Sequence, residues 1–197
     1  MTRRDGASAL FETLFLILAV FVLQQLAALA GVLGGLFVLA PPITTDPWTI
    51  VTSVYAHDGF GHLLSNAIAL LLVGWPVARA TTAWRFHGFF LTTGAIAGLS
   101  QIVLTAQLAF LPGISASPGV VGASGAVFAL MGYLLAGNRL SGMLAGIVEL
   151  PRWVGVLVFV TIAVVVTLAT AQPGVALVAH FTGLLVGLLA GRARLLR

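Results

Sequence analysis

The sequence predicts an all-α, polytopic membrane protein, a bundle of six transmembrane helices. Three observations predict it. The chain is 60% hydrophobic and only 7% charged, where an ordinary soluble domain carries about 25% charged residues. Its apolar residues gather into six long runs. Its basic residues fall between those runs in a strictly alternating pattern.

The runs cover residues 10–40, 62–78, 86–110, 120–137, 152–171 and 174–191. A helix rises about 1.5 Å per residue, so crossing a hydrocarbon core takes roughly 20 apolar residues. The first run is long enough to tilt or to extend past the bilayer. The second and fourth are short, which places their ends below the membrane surface. No stretch between the runs is long enough for a soluble domain, so the whole chain, 1–197, reads as one membrane domain. The first run follows Met1–Asp5 without a small-residue cleavage site and reads as a retained helix rather than a signal peptide.

The loops orient the bundle. All nine basic residues are arginines. Arg3 and Arg4 precede the first run, and Arg79 and Arg85 lie between the second and third. Arg139 and Arg152 lie between the fourth and fifth, and Arg192, Arg194 and Arg197 follow the sixth. Six helices put every arginine on one side. The opposite loops, about 41–61, 111–119 and 172–174, hold no arginine and carry Asp46 and Asp58. The positive-inside rule then makes this a multi-pass protein of the cell membrane with both termini cytoplasmic. The arginines form no basic stripe or helix face, so nucleic-acid binding is not expected. The absence of cysteine excludes disulfides and thiolate chemistry.

Small residues mark two helices for close packing. Gly183, Gly187 and Gly191 recur at intervals of four in the sixth run, and Gly125, Ala129, Gly132 and Ala136 form a strip along the fourth. Such strips let helix backbones approach closely in lipid.

Polar side chains inside membrane helices are expensive and mark function. Those best suited to chemistry are His62 and Asn66 in the second run, Ser124 in the fourth and His180 in the sixth. All lie within about seven residues of the arginine-free end, roughly 10 Å deep at most. Three helices thus bring polar groups to one depth. Ser124, flanked by glycines at a helix start, is open to close approach. The free N–H groups of a first helical turn donate to an anion formed beside it. A serine in such a helix more often bonds a carbonyl of its own helix, and a lone histidine often bonds a neighbour. The pairing at equal depth favours nucleophile and base. The only acid beyond Ser124 is Glu149, near the arginine-rich face, so a Ser–His dyad is expected rather than a triad. His62 and Asn66, four apart, share a helix face, and both donate hydrogen bonds. Zinc would draw on His57, His62 and His180, but no carboxylate-ligand pattern or H-E-x-x-H pattern supports it. No metal or cofactor is expected.

These residues resemble a known family. Gly122-Ala123-Ser124-Gly125, continuing to Gly132, is similar to the nucleophile helix of rhomboid proteases. Ala179-His180 followed by Gly183 and Gly187 resembles their last core helix, which carries the catalytic histidine. His57 to Asn66 resembles their second helix and its approach. The resemblance spans about residues 45–191. It implies a rhomboid-like bundle around a water-filled cavity, with Ser124 as nucleophile and His180 as general base and acid. His62, Asn66 and the Ser124 backbone would form the oxyanion hole. Gly122, Gly125, Gly183 and Phe128 would support the site, and His57 would have a structural role. The implied partners are single-span or other membrane-protein substrates in the lipid bilayer, cleaved near the outer face. Access would run past helices two and five, or under the loop at about 171–174. No cofactor is implied. Two departures stand out. The loop from Pro41 to Gly61 is short, with Trp48 followed by Thr49 where many members have a Trp-Arg pair. Phe128 occupies a position that is often tyrosine. The rival reading is an inactive rhomboid-like protein that binds membrane clients. Retention of both Ser124 and His180 argues against it.

Overall fold

The computed structural model describes residues 6–137, 152–171 and 174–197. Arg3, Arg4, Arg139 and Glu149 lie outside the described residues, as do Gln172 and Pro173. Among the described residues the regular structure is helical: α1 (Gly6–Leu29), α2 (Leu33–Phe37), α3 (Thr49–Thr52), α4 (Phe60–Arg79), α5 (Ala83–Leu108), α6 (Ser124–Gly137), α7 (Arg152–Ala169) and α8 (Leu177–Arg192). An antiparallel bridge joins Leu39 to Val120.

The chain is a polytopic helical membrane bundle. Helices α1, α4 and α5 are each long and apolar enough to cross a membrane, while α6, α7 and α8 are apolar but shorter. Phe11, Phe15 and Leu26 on α1 and Val156, Leu157 and Leu168 on α7 are exposed, a surface suited to lipid. The centre is built from α5, α6 and α8, with Phe86, Phe90, Leu130 and Leu184 fully buried, and Leu70 of α4 is buried in the same core as the first three. Among the described helices α7 packs on α8 alone.

The first apolar run, expected as one helix over 10–40, is broken. Gly31 adopts φ +73°. Its N–H bonds Ala28 O at 3.1 Å and the next N–H, of Val32, bonds Ala27 O at 3.0 Å. These two bonds form a Schellman cap, which ends a helix on a left-handed glycine. The chain then folds back through α2 and α3. Trp48 Nε1 donates to Gly35 O at 2.8 Å and the Thr52 hydroxyl to Leu36 O at 2.6 Å. The short outer loop is therefore an ordered, hydrogen-bonded cap. Helices α6 and α8 begin later than expected, at Ser124 and Leu177 rather than at 120 and 174. Within α4 a π turn spans Leu70–Gly74. It falls just before Pro76, which has no N–H to offer the Leu72 carbonyl, and widening the turn accommodates that loss.

In lipid, helix association depends on close packing, because lipid tails are as apolar as leucine. The α6–α8 pair is the most extensive helix–helix contact. A Cβ on Gly183 would overlap the Gly125 carbonyl, one on Gly187 the Ala129 carbonyl, and one on Gly191 would lie 2.5 Å from the Tyr133 carbonyl. The partners 125–183, 129–187 and 133–191 advance together, so the two helices run parallel, backbone against backbone. Both therefore start at the same end of the bundle.

Candidate active site

The approach to α6 is fixed by backbone. Val120 and Leu39 exchange N–H···O bonds of 2.9 and 3.1 Å, and Gly122 N–H donates to Ser53 O at 2.9 Å. Gly122 has φ +128°, and a Cβ there would sit 2.8 Å from His62 Cε1. The position thus requires glycine both for its backbone and for the ring beside it. The turn ends at Ser124, the first residue of α6.

His180 is the fourth residue of α8. The start of that helix is anchored by Gln101 of α5, whose side-chain oxygen accepts from Ala179 N–H at 3.2 Å. His180 Nε2 lies 2.9 Å from Ser124 Oγ. An imidazole that accepts the hydroxyl proton at Nε2 carries its own proton on Nδ1. Nδ1 is buried and has no hydrogen-bond partner among the described residues. The ring is oriented instead by Phe128, stacked on it with centroids 4.2 Å apart and planes 19° apart. The pair is thus a hydroxyl and a base without a carboxylate behind it.

Helix α4 brings the third group. The space a Gly122 Cβ would fill is 3.0 Å from His62 Nε2 and 3.7 Å from Ser124 Oγ, so both atoms converge on one spot. Asn66 lies one turn further along the same face, buried, with its amide donating to the His62 carbonyl at 3.0 Å. The amide nitrogen bears a second N–H. His57 sits just outside α4 with its ring 5.0 Å from that of His62. Its backbone is clamped by Gln24 of α1, which donates to His57 O at 3.1 Å and accepts from His57 N–H at 2.8 Å. His57 Nδ1 donates to Tyr55 O at 3.2 Å. Burial, and secondarily the neighbouring His62, lowers the His57 pKa to about 4, so the ring is neutral near pH 7.

The structure therefore brings together Ser124, His180, Phe128, Gly122 and His62, with Asn66 beneath His62 and His57 beside it. Gly125 and Gly183 form the first rung of the α6–α8 ladder. Three groups escape the sequence reading. Gln24 and Gln101 are uncharged amides in apolar runs, a signal that a search for acids, bases and nucleophiles passes over. Asp58 stands four residues before His62, and its carboxylate lies 2.6 Å from His62 Nδ1.

Comparison with known proteins identifies the family. The Rhomboid domain family matches residues 44–197. The chain belongs to the rhomboid family. Among its rhomboid relatives, Rhomboid-related protein 1 of Caenorhabditis elegans is 32% identical over 125 residues, 63% of this chain and 31% of that one. RHOMBOID-like protein 4 of Arabidopsis thaliana is 31% identical over 166 residues, 84% of this chain and 38% of that one. Rhomboid protease GluP of Bacillus subtilis is 35% identical over 88 residues, 45% of this chain and 15% of that one. The chain spans less than half the length of each of these rhomboids. The rhomboid match includes every residue of the predicted site but omits α1, whose Gln24 nonetheless holds His57.

Proposed function

We propose that this chain is an intramembrane serine endopeptidase that cleaves transmembrane segments of membrane proteins near the outer face of the cell membrane. The observation that carries the reading is the 2.9 Å bond between Ser124 Oγ and His180 Nε2, inside a helical membrane bundle. Ser124 Oγ attacks the scissile carbonyl carbon as His180 Nε2 removes its proton. The same nitrogen then protonates the leaving amine, and water repeats the sequence on the acyl-enzyme. The developing oxyanion is met by the Ser124 N–H at the helix start, by His62 and by Asn66. Phe128 and the rigid α6–α8 pair hold the imidazole where a carboxylate does so in a triad. A substrate helix would approach between α4 and α7, a side supported by the packing of α7 on α8 alone among the described helices.

The test is cleavage of a reporter transmembrane segment by purified protein in liposomes, with a fluorophosphonate probe for the serine. The parent cleaves and is labelled at Ser124. Ser124→Ala and His180→Ala both fall to background, and the double variant falls no further, because the two residues act as one unit. A parent that neither cleaves a panel of substrates nor reacts with the probe would sink the protease reading and favour the client-binding one.

A further inference from the structure

Asp58 has no place in the mechanism above, yet its carboxylate is bound to a group that has. Asp58 Oδ1 lies 2.6 Å from His62 Nδ1, within charge-assisted distance. The carboxylate is 70% exposed and the imidazole 29%, so the pair lies at the mouth of the site. A carboxylate only accepts, which makes His62 Nδ1 the donor. The opposite edge of the ring, Nε2, is then turned toward the Gly122–Ser124 turn, where Gly122 lacks the Cβ that would collide with it.

This arrangement constrains the chemistry. A neutral imidazole with its proton on Nδ1 presents a lone pair at Nε2, which repels an oxyanion. To donate from Nε2 while still bonded to Asp58, the ring must carry both protons and hence a positive charge. The groups facing it are His57, whose ring is 5.0 Å away, His180 across the site, and Asp58. Among these Asp58 alone supplies the opposing charge. We propose that Asp58 is a positioning residue. It locks the His62 ring with Nε2 aimed at the reacting carbonyl and balances the charge of a doubly protonated, donating imidazole. Exposed ion pairs contribute little to stability, so the pair acts on the donor rather than on the fold.

The proposal rests on the protease reading, and its tests separate the two. In the liposome assay Asp58→Ala lowers kcat about tenfold, the scale of one weakened oxyanion donor, with KM changed less than about twofold. Asp58→Glu restores most of the loss, and in a His62→Ala background Asp58→Ala has no further effect. A tenfold loss that persists without His62, or a loss confined to KM, overturns the proposal while Ser124→Ala still reports on the protease reading. The second measurement needs no activity. Long-range 1H–15N correlation of histidine-labelled protein in micelles, with His62 assigned by His62→Asn, reads which ring nitrogens are protonated. The parent shows protons on both ring nitrogens of His62, Asp58→Ala alters the pattern, and a parent ring protonated at Nδ1 alone overturns the proposal. An identical His62 spectrum in both proteins overturns the proposal, whatever the cleavage assay gives.

Discussion

Gly183→Ala adds one methyl group at the backbone contact directly behind the dyad. Its Cβ would overlap the carbonyl of Gly125, which belongs to the residue after Ser124. The carbonyl is part of a helix backbone and cannot rotate away, so α6 and α8 must separate by on the order of 1 Å to reach van der Waals contact. Ser124 and His180 ride on the same two helices. Their 2.9 Å bond would stretch to about 4 Å, beyond the range of a hydrogen bond. Displacement on that scale costs about 100-fold in rate, and the overpacking costs about 1–3 kcal/mol of stability. The control is Gly155→Ala on α7, where an added Cβ meets nothing within 4 Å. Cleavage kinetics in liposomes and thermal unfolding in detergent should show a slow, destabilised Gly183→Ala and an unaltered Gly155→Ala. A Gly183→Ala protein with parental rate and unfolding temperature would refute the view that backbone contact sets the dyad distance.

The other expectations are briefer. Asn66→Ala should lower kcat more than it raises KM, by less than the roughly 2.7–4 kcal/mol typical of a sole oxyanion donor, because His62 and the Ser124 N–H remain; steady-state kinetics separate this from a pure KM effect. His57, with its pKa lowered to about 4, binds a proton more readily unfolded than folded. Its contribution to stability is therefore complete above about pH 6.5 and is lost as pH falls toward 4; His57→Gln should flatten the melting temperature across that window. Single cysteines at Thr45 and Ala80, both exposed, test the orientation: an impermeant thiol reagent on intact cells should label the first and spare the second, and the reverse would invert the topology.

The parts of this molecule written in composition and periodicity were legible from the sequence. The apolar runs marked the spanning helices, and the spacing of Gly183, Gly187 and Gly191 named the helix that α6 packs against. Ser124, His180 and His62 could be grouped because three helices begin at one end, and a polar residue near each start marks that end. What escaped depends on tertiary bonds. Helices α2 and α3 are too short to show a period, and Trp48 and Thr52 hold them through carbonyls 13 and 16 residues away. The break at Gly31 was in view as a glycine after an alanine-rich stretch, but hydropathy stays high through 40 and concealed it. Gln24 and His57 are 33 residues apart, and nothing local announces that one clamps the other.

The ladder between α6 and α8 also limits how this site can be switched. Contacts of glycine with carbonyl recur every four residues, so the two helices fit at discrete settings only. A slip of one residue would drive a side chain into the opposing backbone. The next setting that brings Gly183, Gly187 and Gly191 opposite ladder carbonyls again lies one interval away, about 6 Å along the axis, where Ser124 and His180 no longer meet. Sliding therefore offers no half-active state. Graded control of such a pair has to come from outside the ladder, for example from α7, which packs on α8 alone among the described helices.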